Sequence, residues 1–169
     1  MLQLYCGEGK GKTTAAVGLA VRAAGQGLQV VFAQFLKDGR SGERAVFANL
    51  PQVCLLDLPE TMKFTFAMDP EEQAAEARRQ TDLFHRAAAL APQEGVLVLD
   101  ELCAALSKHM VPLEAVLSFL DHCPDTLEVV ITGRNPPQAL QDRADYITEL
   151  CKRRHPYDQG VAARRGIEW

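Results

Sequence analysis

The decisive stretch of this 169-residue chain is Gly7-Glu8-Gly9-Lys10-Gly11-Lys12-Thr13-Thr14. It lies between a short apolar run, residues 2–6, and an alanine- and valine-rich segment, residues 13–24, which is the strand–loop–helix context that a phosphate-binding loop requires. Glycines allow backbone N–H groups to turn toward an anion, and the N-terminus of the following helix adds a partial positive charge. We therefore expect this whole loop to bind the phosphates of a nucleotide, with Lys12 supplying a full positive charge and the Thr13 hydroxyl ligating Mg²⁺.

The loop departs from the usual pattern G-x-x-x-x-G-K-[ST] at one position, because Cys6 stands where the first glycine is expected. Gly7 and Gly9 follow instead, and Lys10 adds a second cation. The plain alternative is a glycine-rich turn that binds nothing. The run from Gly11 to Thr14, placed at a strand-to-helix junction, argues strongly against that alternative.

Composition and charge narrow the class of protein. The chain is 47% hydrophobic, enough for the core of one compact domain, and we expect residues 1–169 to form a single domain. Its net charge of −4 provides no general basic field for nucleic acid or a membrane surface. The five cysteines are odd in number and include no C-x-x-C pair, which favours reduced thiols in the cytoplasm. No apolar run reaches bilayer-spanning length. From the charge and the apolar pattern together, we expect neither a nucleic-acid nor a membrane partner.

Apolar, β-branched runs alternate with helical patterns along the chain, which predicts an α/β fold of the P-loop NTPase type. We expect a mostly parallel central sheet of about six strands with helices on both faces. The run Val96–Leu99 is apolar at every position, which is typical of a central strand covered on both sides. The predicted strands are residues 2–6, 30–35, 53–57, 96–99, 129–132 and 146–150.

The clearest helix start is Asp69-Pro70-Glu71-Glu72, which combines an N-cap, a first-turn proline and a capping-box glutamate. Further helices are predicted after residue 13, over about 112–121, and after the Asn135-Pro136 pair. Segments 37–42, 58–68 and 152–169 have no regular pattern. The first two follow strands, and ligand-binding loops of such sheets gather at the carboxyl ends of strands. Both are therefore candidates for substrate contact.

The apolar residues 96–99 lead directly into Asp100 and Glu101. This arrangement places a carboxylate at the carboxyl end of a strand, beside the phosphate loop. Mg²⁺ prefers oxygen ligands and keeps several waters, so one or two carboxylates, the Thr13 hydroxyl and phosphate oxygens suffice to hold it. A solvent-facing acid pair is the alternative, and the spacing leaves open whether Asp100 or Glu101 contacts the ion.

With these elements in place, the chain resembles the P-loop family of corrinoid adenosyltransferases over almost its whole length. Each matching fragment is weak alone, but their order and spacing are specific. The fragments are the phosphate loop, Gln34-Phe35-Leu36-Lys37, Gly42-Glu43-Arg44, Phe64-Thr65-Phe66, Leu99-Asp100-Glu101-Leu102, Ile131-Thr132-Gly133-Arg134, Asp158-Gln159-Gly160 and Arg165-Gly166-Ile167-Glu168-Trp169.

The resemblance implies an enzyme that transfers the 5′-deoxyadenosyl group of ATP to the cobalt(I) of a corrinoid, either cobalamin or a precursor. Triphosphate is the other product, and the reaction belongs to adenosylcobalamin biosynthesis or salvage. The resemblance also implies Mg²⁺ or Mn²⁺, an electron-donating flavoprotein or similar reductant, and a homodimer in the cytoplasm. Lys12 is then catalytic through the phosphates.

Phe64 and Phe66 receive their roles from the same resemblance, whereas Arg134 is a candidate because it follows the end of a strand. The two aromatic residues lie two apart in a segment that we expect to be extended, so their rings would point to the same side. They would form the apolar wedge that displaces the lower axial ligand of cobalt. Plain core packing is the alternative for the rings, and Arg134 would hold either phosphate or a structural acid.

Some features depart from the family pattern. Glu8 stands where members often carry a small polar residue, and Phe66 takes a position that can be tryptophan. Longer members have an N-terminal helical extension over the site, so we expect looser closure around the substrates here.

Two other functions stay open at this point. A P-loop ATPase of the partitioning or motor type would use Lys10 as the extra lysine of such loops, and it would release orthophosphate from ATP without a corrinoid. A noncatalytic carrier would bind corrinoid or nucleotide tightly and form no cobalt–carbon bond.

Overall fold

A computed structural model describes residues 1–168, and one sheet of six strands forms the centre of this part of the chain. The strands are β1 (Leu2–Cys6), β2 (Gln29–Gln34), β3 (Val53–Leu55), β4 (Gly95–Asp100), β5 (Leu127–Thr132) and β6 (Tyr146–Glu149). Their order across the sheet is β3-β2-β4-β5-β1-β6, and every neighbouring pair is parallel.

All of the predicted strands are present, with small shifts at their ends. β3 stops two residues before the predicted end, and β5 begins two residues before the predicted start. The central position of β4 is confirmed, because each of its residues is buried and Val98 lies between Phe32 of β2 and Val130 of β5. The prediction of a mostly parallel sheet is confirmed in a stricter form, since the pairing is parallel throughout.

Helices cover both faces of the sheet, as predicted. They are α1 (Lys12–Gly25), α2 (Gly42–Phe47), α3 (Pro70–Leu90), α4 (Leu102–Ser107), α5 (Leu113–His122) and α6 (Gln138–Gln141). Successive residues of a strand point to opposite faces, so the sheet builds two apolar cores. One core joins α1 and α2 to side chains such as Phe32 and Val98. The other joins the remaining four helices to side chains such as Leu97 and Ile131.

The start of α3 confirms the capping box read from the sequence. The backbone N–H of Glu72 donates to Asp69 Oδ1 at 2.8 Å, and the N–H of Asp69 donates to Glu72 Oε2 at 3.1 Å. Two backbone donors that no helical turn can satisfy are thereby paired. From this start, α3 continues with one face toward the sheet and buries Leu83, Phe84 and Ala87 there.

Two helices were missed by the sequence patterns. α2 and α4 span six residues each, which is too short for a helical period to emerge. The helix predicted after the Asn135-Pro136 pair is present as α6, which begins at Gln138 with Pro137 as its N-cap. Asn135 adopts a left-handed backbone conformation, with φ of 48°, which turns the chain before the helix can begin.

The carboxyl ends of the strands meet at one edge of the sheet and place polar side chains there. Gln34 ends β2 beside Asp100, which ends β4, and Thr132 ends β5. All three are completely buried. In the described part of the chain, no helix is both long enough and apolar enough to cross a membrane.

Candidate active site

The phosphate loop connects β1 to α1 and is shaped by close contact with the segment after β6. The backbone N–H of Gly9 donates to the carbonyl oxygen of Leu150 at 2.6 Å. A Cβ atom on Gly9 would lie 2.5 Å from that same oxygen, so no other residue fits there without movement. Gly11 has φ of 119°, a conformation that favours glycine, immediately before α1 begins. Tertiary packing therefore explains part of the glycine content of this loop.

Lys12 is buried beneath the loop and holds its curve. Its ammonium group donates to the carbonyl oxygen of Gly7 at 2.7 Å and to that of Gly9 at 2.8 Å. The positive charge is thus fixed at the centre of the loop by two backbone oxygens. An ammonium group has three donors, so one donor is left for a ligand in the loop.

Asp100 accepts hydrogen bonds from four side chains. Its Oδ1 atom accepts from the hydroxyl groups of Thr13 at 2.9 Å and Thr132 at 2.8 Å. Its Oδ2 atom accepts from the Lys37 ammonium at 2.7 Å and from Gln34 Nε2 at 3.3 Å. A fully buried carboxylate is costly unless it is paired and hydrogen-bonded, and here all of its lone-pair positions are used. Asp100 therefore ties the phosphate loop to three strand ends.

Glu101 differs from its neighbour. It adopts a left-handed conformation, with φ of 62°, fixed by a hydrogen bond from its N–H to the Thr132 hydroxyl at 2.8 Å. Within residues 1–168 its carboxylate has no hydrogen bond or ion pair, and it faces the cavity above the phosphate loop. Burial, reinforced by the charge of Asp100, raises the pKa of the Glu101 carboxyl. An unpartnered carboxylate in such surroundings is suited to a cationic ligand.

A cavity of about 390 Å³ lies over the phosphate loop. Seven of the eight loop residues line it, whereas Gly7 contributes only the carbonyl oxygen that Lys12 binds. Asp100 lies below the cavity and does not line it. The remaining lining residues are Glu101, Arg134, His155 and Glu168.

Arg134 and Glu8 form an ion pair at 3.0 Å across the mouth of this cavity. Both alternatives considered for Arg134 are therefore compatible with its position, since it holds an acid and also faces the phosphate loop. Glu168 lies on the cavity wall, where the Arg164 guanidinium lowers the pKa of its carboxyl to about 2. Trp169, the last residue of the tail fragment, lies outside the described residues.

A second cavity, of about 300 Å³, adjoins the first and shares Thr13 and Glu168 with it. The loop after β2 and the segment before α3 form its walls, as predicted for two of the irregular segments. Its other lining residues are Leu36, Lys37, Asp38, Ser41, Glu43, Met62, Lys63 and Phe64. The phosphate cavity and the cavity lined by Phe64 are therefore neighbours, with Thr13 and Glu168 between them.

Phe64 and Phe66 stand on the surface, with 72% and 84% of their area exposed. Their rings stack on each other, with centroids 5.4 Å apart and planes inclined by 11°. The prediction of an extended segment is wrong, because a 3₁₀ turn spans Thr65–Ala67 and the N–H of Ala67 donates to the carbonyl oxygen of Phe64 at 2.8 Å. Plain core packing is excluded for both rings.

Two members of the site were not predicted from the sequence, and the contact that a third makes was not predicted either. Gln34 and Thr132 bind Asp100, and Lys37 forms an ion pair with it. A usable signal was present, since each of the first two is a polar residue that ends an apolar strand. Lys37 was only a candidate for a substrate loop, because no spacing rule connects it to Asp100 across the sheet.

An all-parallel sheet with a glycine-rich loop between β1 and α1 defines the P-loop class of α/β proteins. The family model for "ATP:corrinoid adenosyltransferase BtuR/CobO/CobP" matches residues 1–169. The chain therefore belongs to that family, whose members are transferases that adenosylate corrinoids in cobalamin biosynthesis. The family resemblance seen in the sequence is confirmed.

Curated relatives support the same assignment. The "Corrinoid adenosyltransferase CobA" of Salmonella typhimurium is 36% identical over 98% of this chain and 84% of its own length. The "Corrinoid adenosyltransferase" of Escherichia coli K12 is 32% identical over the same shares of the two chains. That of Pseudomonas aeruginosa is 31% identical over 100% of this chain and 83% of its own.

Proposed function

We propose that this chain transfers the 5′-deoxyadenosyl group of ATP to the cobalt(I) of a corrinoid and releases triphosphate, in adenosylcobalamin biosynthesis or salvage. The observation that carries the proposal is that the cavity over the phosphate loop adjoins the cavity lined by Phe64. A nucleotide held there by its phosphates can present its sugar carbon to a corrinoid beside the aromatic pair. Residues 1–169 would act as one domain.

The phosphate-binding residues suit a reaction in which the whole triphosphate leaves. Residues 7–14 and Arg134 would hold its oxygens, and Lys12 would stabilise their charge from beneath the loop. Fixing all three phosphates also keeps the sugar carbon in line with the nucleophile. No general base is needed, because cobalt(I) is itself the nucleophile.

The oxygen ligands of the site fit Mg²⁺ or Mn²⁺. Within the described residues, no three His, Cys, Asp or Glu side chains cluster closely enough to hold a metal ion alone. An ion would therefore depend on the Thr13 hydroxyl, the unpartnered Glu101 carboxylate and nucleotide phosphates. Asp100 would support Thr13 from below, because its own oxygens are already occupied. When bound, the ion would supply positive charge to the phosphates.

The exposed aromatic pair suits the corrinoid face. Phe64 and Phe66 are bulky and apolar, and their rings cannot coordinate cobalt. Pressed against the lower face of a corrinoid, they would displace the axial ligand and exclude water. Four-coordinate cobalt(II) accepts an electron more easily, and in a one-electron couple about 59 mV corresponds to a tenfold change in equilibrium.

The partners are proposed on the strength of the family resemblance. We infer that the protein acts as a homodimer in the cytoplasm and receives electrons from a flavoprotein or similar reductant. We propose no nucleic-acid or membrane partner, since the net charge of −4 offers no general attraction for either.

The decisive experiment is an anaerobic incubation of the protein with chemically reduced cobalamin, ATP and Mg²⁺. Cobalt alkylation, followed by absorbance, should proceed together with release of one triphosphate for each cobalt–carbon bond. Release of orthophosphate without a corrinoid would instead identify an ATPase. Tight binding of both substrates without alkylation would identify a carrier.

A further inference from the structure

Lys37 lines the second cavity and lies next to Thr13, which lines both cavities. It follows Leu36, whose positive φ of 53° turns the chain sharply after β2. Its ammonium nitrogen is 2.7 Å from Asp100 Oδ2 and 3.5 Å from the Thr13 hydroxyl oxygen. The side chain is 26% exposed, and it lines the cavity that contains Phe64. A positive charge is therefore fixed between the phosphate loop and the aromatic pair.

The nearby cations occupy different positions. Lys12 is buried beneath the phosphate loop, where it binds the Gly7 and Gly9 carbonyl oxygens. Arg134 faces the phosphate cavity and is paired with Glu8. Lys63 also reaches the second cavity, but its ammonium is paired with Glu72.

Lys37 keeps donor capacity for a substrate. Of its three N–H donors, one is used by Asp100 and a second has only a long contact with Thr13. Asp100 is fully buried and fixed by three further donors, so it anchors the ammonium group in place. A charge that is already in position stabilises a developing anion without reorganisation during the reaction.

We propose that Lys37 is a catalytic residue that stabilises the negative charge on the α-phosphate oxygen as that oxygen leaves C5′ of ATP. This inference rests on the proposed function. The electron pair of cobalt(I) forms the cobalt–carbon bond, and the pair of the C5′–O bond departs with triphosphate. The oxygen that gains charge belongs to the phosphate closest to the sugar. In a nucleotide that runs from the loop toward Phe64, that oxygen would lie beyond Thr13, on the side of the site that Lys37 lines.

The product offers a direct probe of this role. In ATP the bridging oxygen at C5′ is an ester and carries little charge, whereas in triphosphate the same oxygen is ionised. A group that serves only to bind phosphates affects both ligands alike. A group directed at the leaving oxygen favours triphosphate over ATP. The ratio of the two dissociation constants therefore isolates the contribution of Lys37.

The binding test uses the wild type, Lys37→Met and Lys37→Arg, with Lys108→Met as the control for removal of an exposed lysine, at the C-terminal end of α4. Dissociation constants for inorganic triphosphate and for ATP are measured by calorimetry, with Mg²⁺ and again with a chelator. We expect Lys37→Met to weaken triphosphate binding on the order of 30-fold and ATP binding only about 3-fold. Lys37→Arg should restore most of the preference, and Lys108→Met should match the wild type.

Single-turnover alkylation of chemically reduced cobalamin supplies the second readout. Lys37→Met should lower the rate at saturating ATP by about 100-fold, with a much smaller change in the ATP concentration needed for half saturation. Thermal unfolding of each variant shows whether the change at Asp100 has loosened the fold. The arginine variant keeps the charge, so its rate shows whether a positive charge at this position is sufficient for catalysis.

Three outcomes would overturn the inference. Equal losses for ATP and triphosphate would make Lys37 a general phosphate ligand. An unchanged rate at saturating ATP would remove it from the chemical step. Failure of Lys37→Arg to restore the triphosphate preference, in a folded protein, would show that a positive charge at this position does not produce the preference. Alkylation by the wild type in these cases would leave the proposed function intact, whereas no alkylation by the wild type would defeat both.

Discussion

The two ends of the proposed substrate site are built in opposite ways. At the phosphate end, Asp100 is completely buried and binds four side chains that come from the phosphate loop and from the ends or following loops of two strands. At the other end, Phe64 and Phe66 are 72% and 84% exposed and contact each other across a 3₁₀ turn. At the phosphate end, the Asp100 carboxylate has all of its hydrogen-bond partners within the protein. The aromatic end presents apolar surface to water.

This difference predicts that the two substrates would contribute differently to the two ends of the proposed site. The phosphate end is preorganised, so binding there costs little rearrangement. Burying one phenylalanine ring contributes about 1.5–3 kcal/mol, and that energy becomes available only when a large apolar ligand covers the rings. In the proposed complex the aromatic end would become buried only when the corrinoid binds, whereas the phosphate end is already buried by the fold.

The largest expected effect tests the preorganised end. Lys12→Ala removes the charge beneath the phosphate loop, and turnover should fall by about 1000-fold whichever oxidation state of cobalt is supplied. Steady-state alkylation rates measure this effect, with Lys108→Ala as the matched control. A Lys12→Ala variant that kept more than a tenth of the wild-type rate would remove Lys12 from the mechanism.

The second prediction compares the two ends by stability. Asp100→Asn weakens a buried ion pair and should lower the free energy of unfolding by about 2–3 kcal/mol. Phe64→Ala and Phe66→Ala should each change it by less than about 0.5 kcal/mol, because their rings pack against little else. Urea unfolding followed by circular dichroism measures all three. Comparable losses at both ends would show that the aromatic pair is as much a part of the folded core as Asp100.

The third prediction concerns the aromatic end in catalysis. Phe64→Ala should reduce alkylation that starts from cobalt(II) and a protein reductant by about tenfold, the equivalent of ~59 mV in a one-electron potential. Alkylation of chemically reduced cobalt(I) should be nearly unchanged. The two assays are run side by side, with Tyr146→Ala as the control for removal of an exposed aromatic side chain. Equal losses in both assays would refute the wedge.

The smallest expected effect concerns the Glu8–Arg134 pair at the mouth of the phosphate cavity. Both side chains are more than half exposed, so Glu8→Gln should leave the unfolding free energy within about 0.5 kcal/mol of the wild type. It should tighten ATP binding by a few-fold at low salt, because a negative charge is removed from beside the phosphates. Calorimetry at two salt concentrations tests this, with Glu114→Gln as the control. Weaker ATP binding would mean that Glu8 chiefly serves to hold Arg134 in place.

Much of the fold was predictable because its signals are local. The capping box at Asp69 and the apolar run Val96–Leu99 fix a helix start and a central strand without knowledge of the rest. The six-residue helices α2 and α4 could not be predicted from the sequence, because so short a helix is stabilised mainly by tertiary packing. The turn at Thr65–Ala67 was misjudged for a similar reason, because two exposed aromatic residues set no period.

The sequence by itself determined the phosphate loop, the parallel order of strands and helices, and the family to which the chain belongs. These depend on residue types at short, fixed spacings. Only the tertiary structure decided that Asp100 is saturated while Glu101 is free of protein partners within residues 1–168, and that Lys37 reaches across to Thr13. Such relations join strand ends far apart in the chain, and no local pattern encodes them. The backbone must first bring those ends to one edge of the sheet.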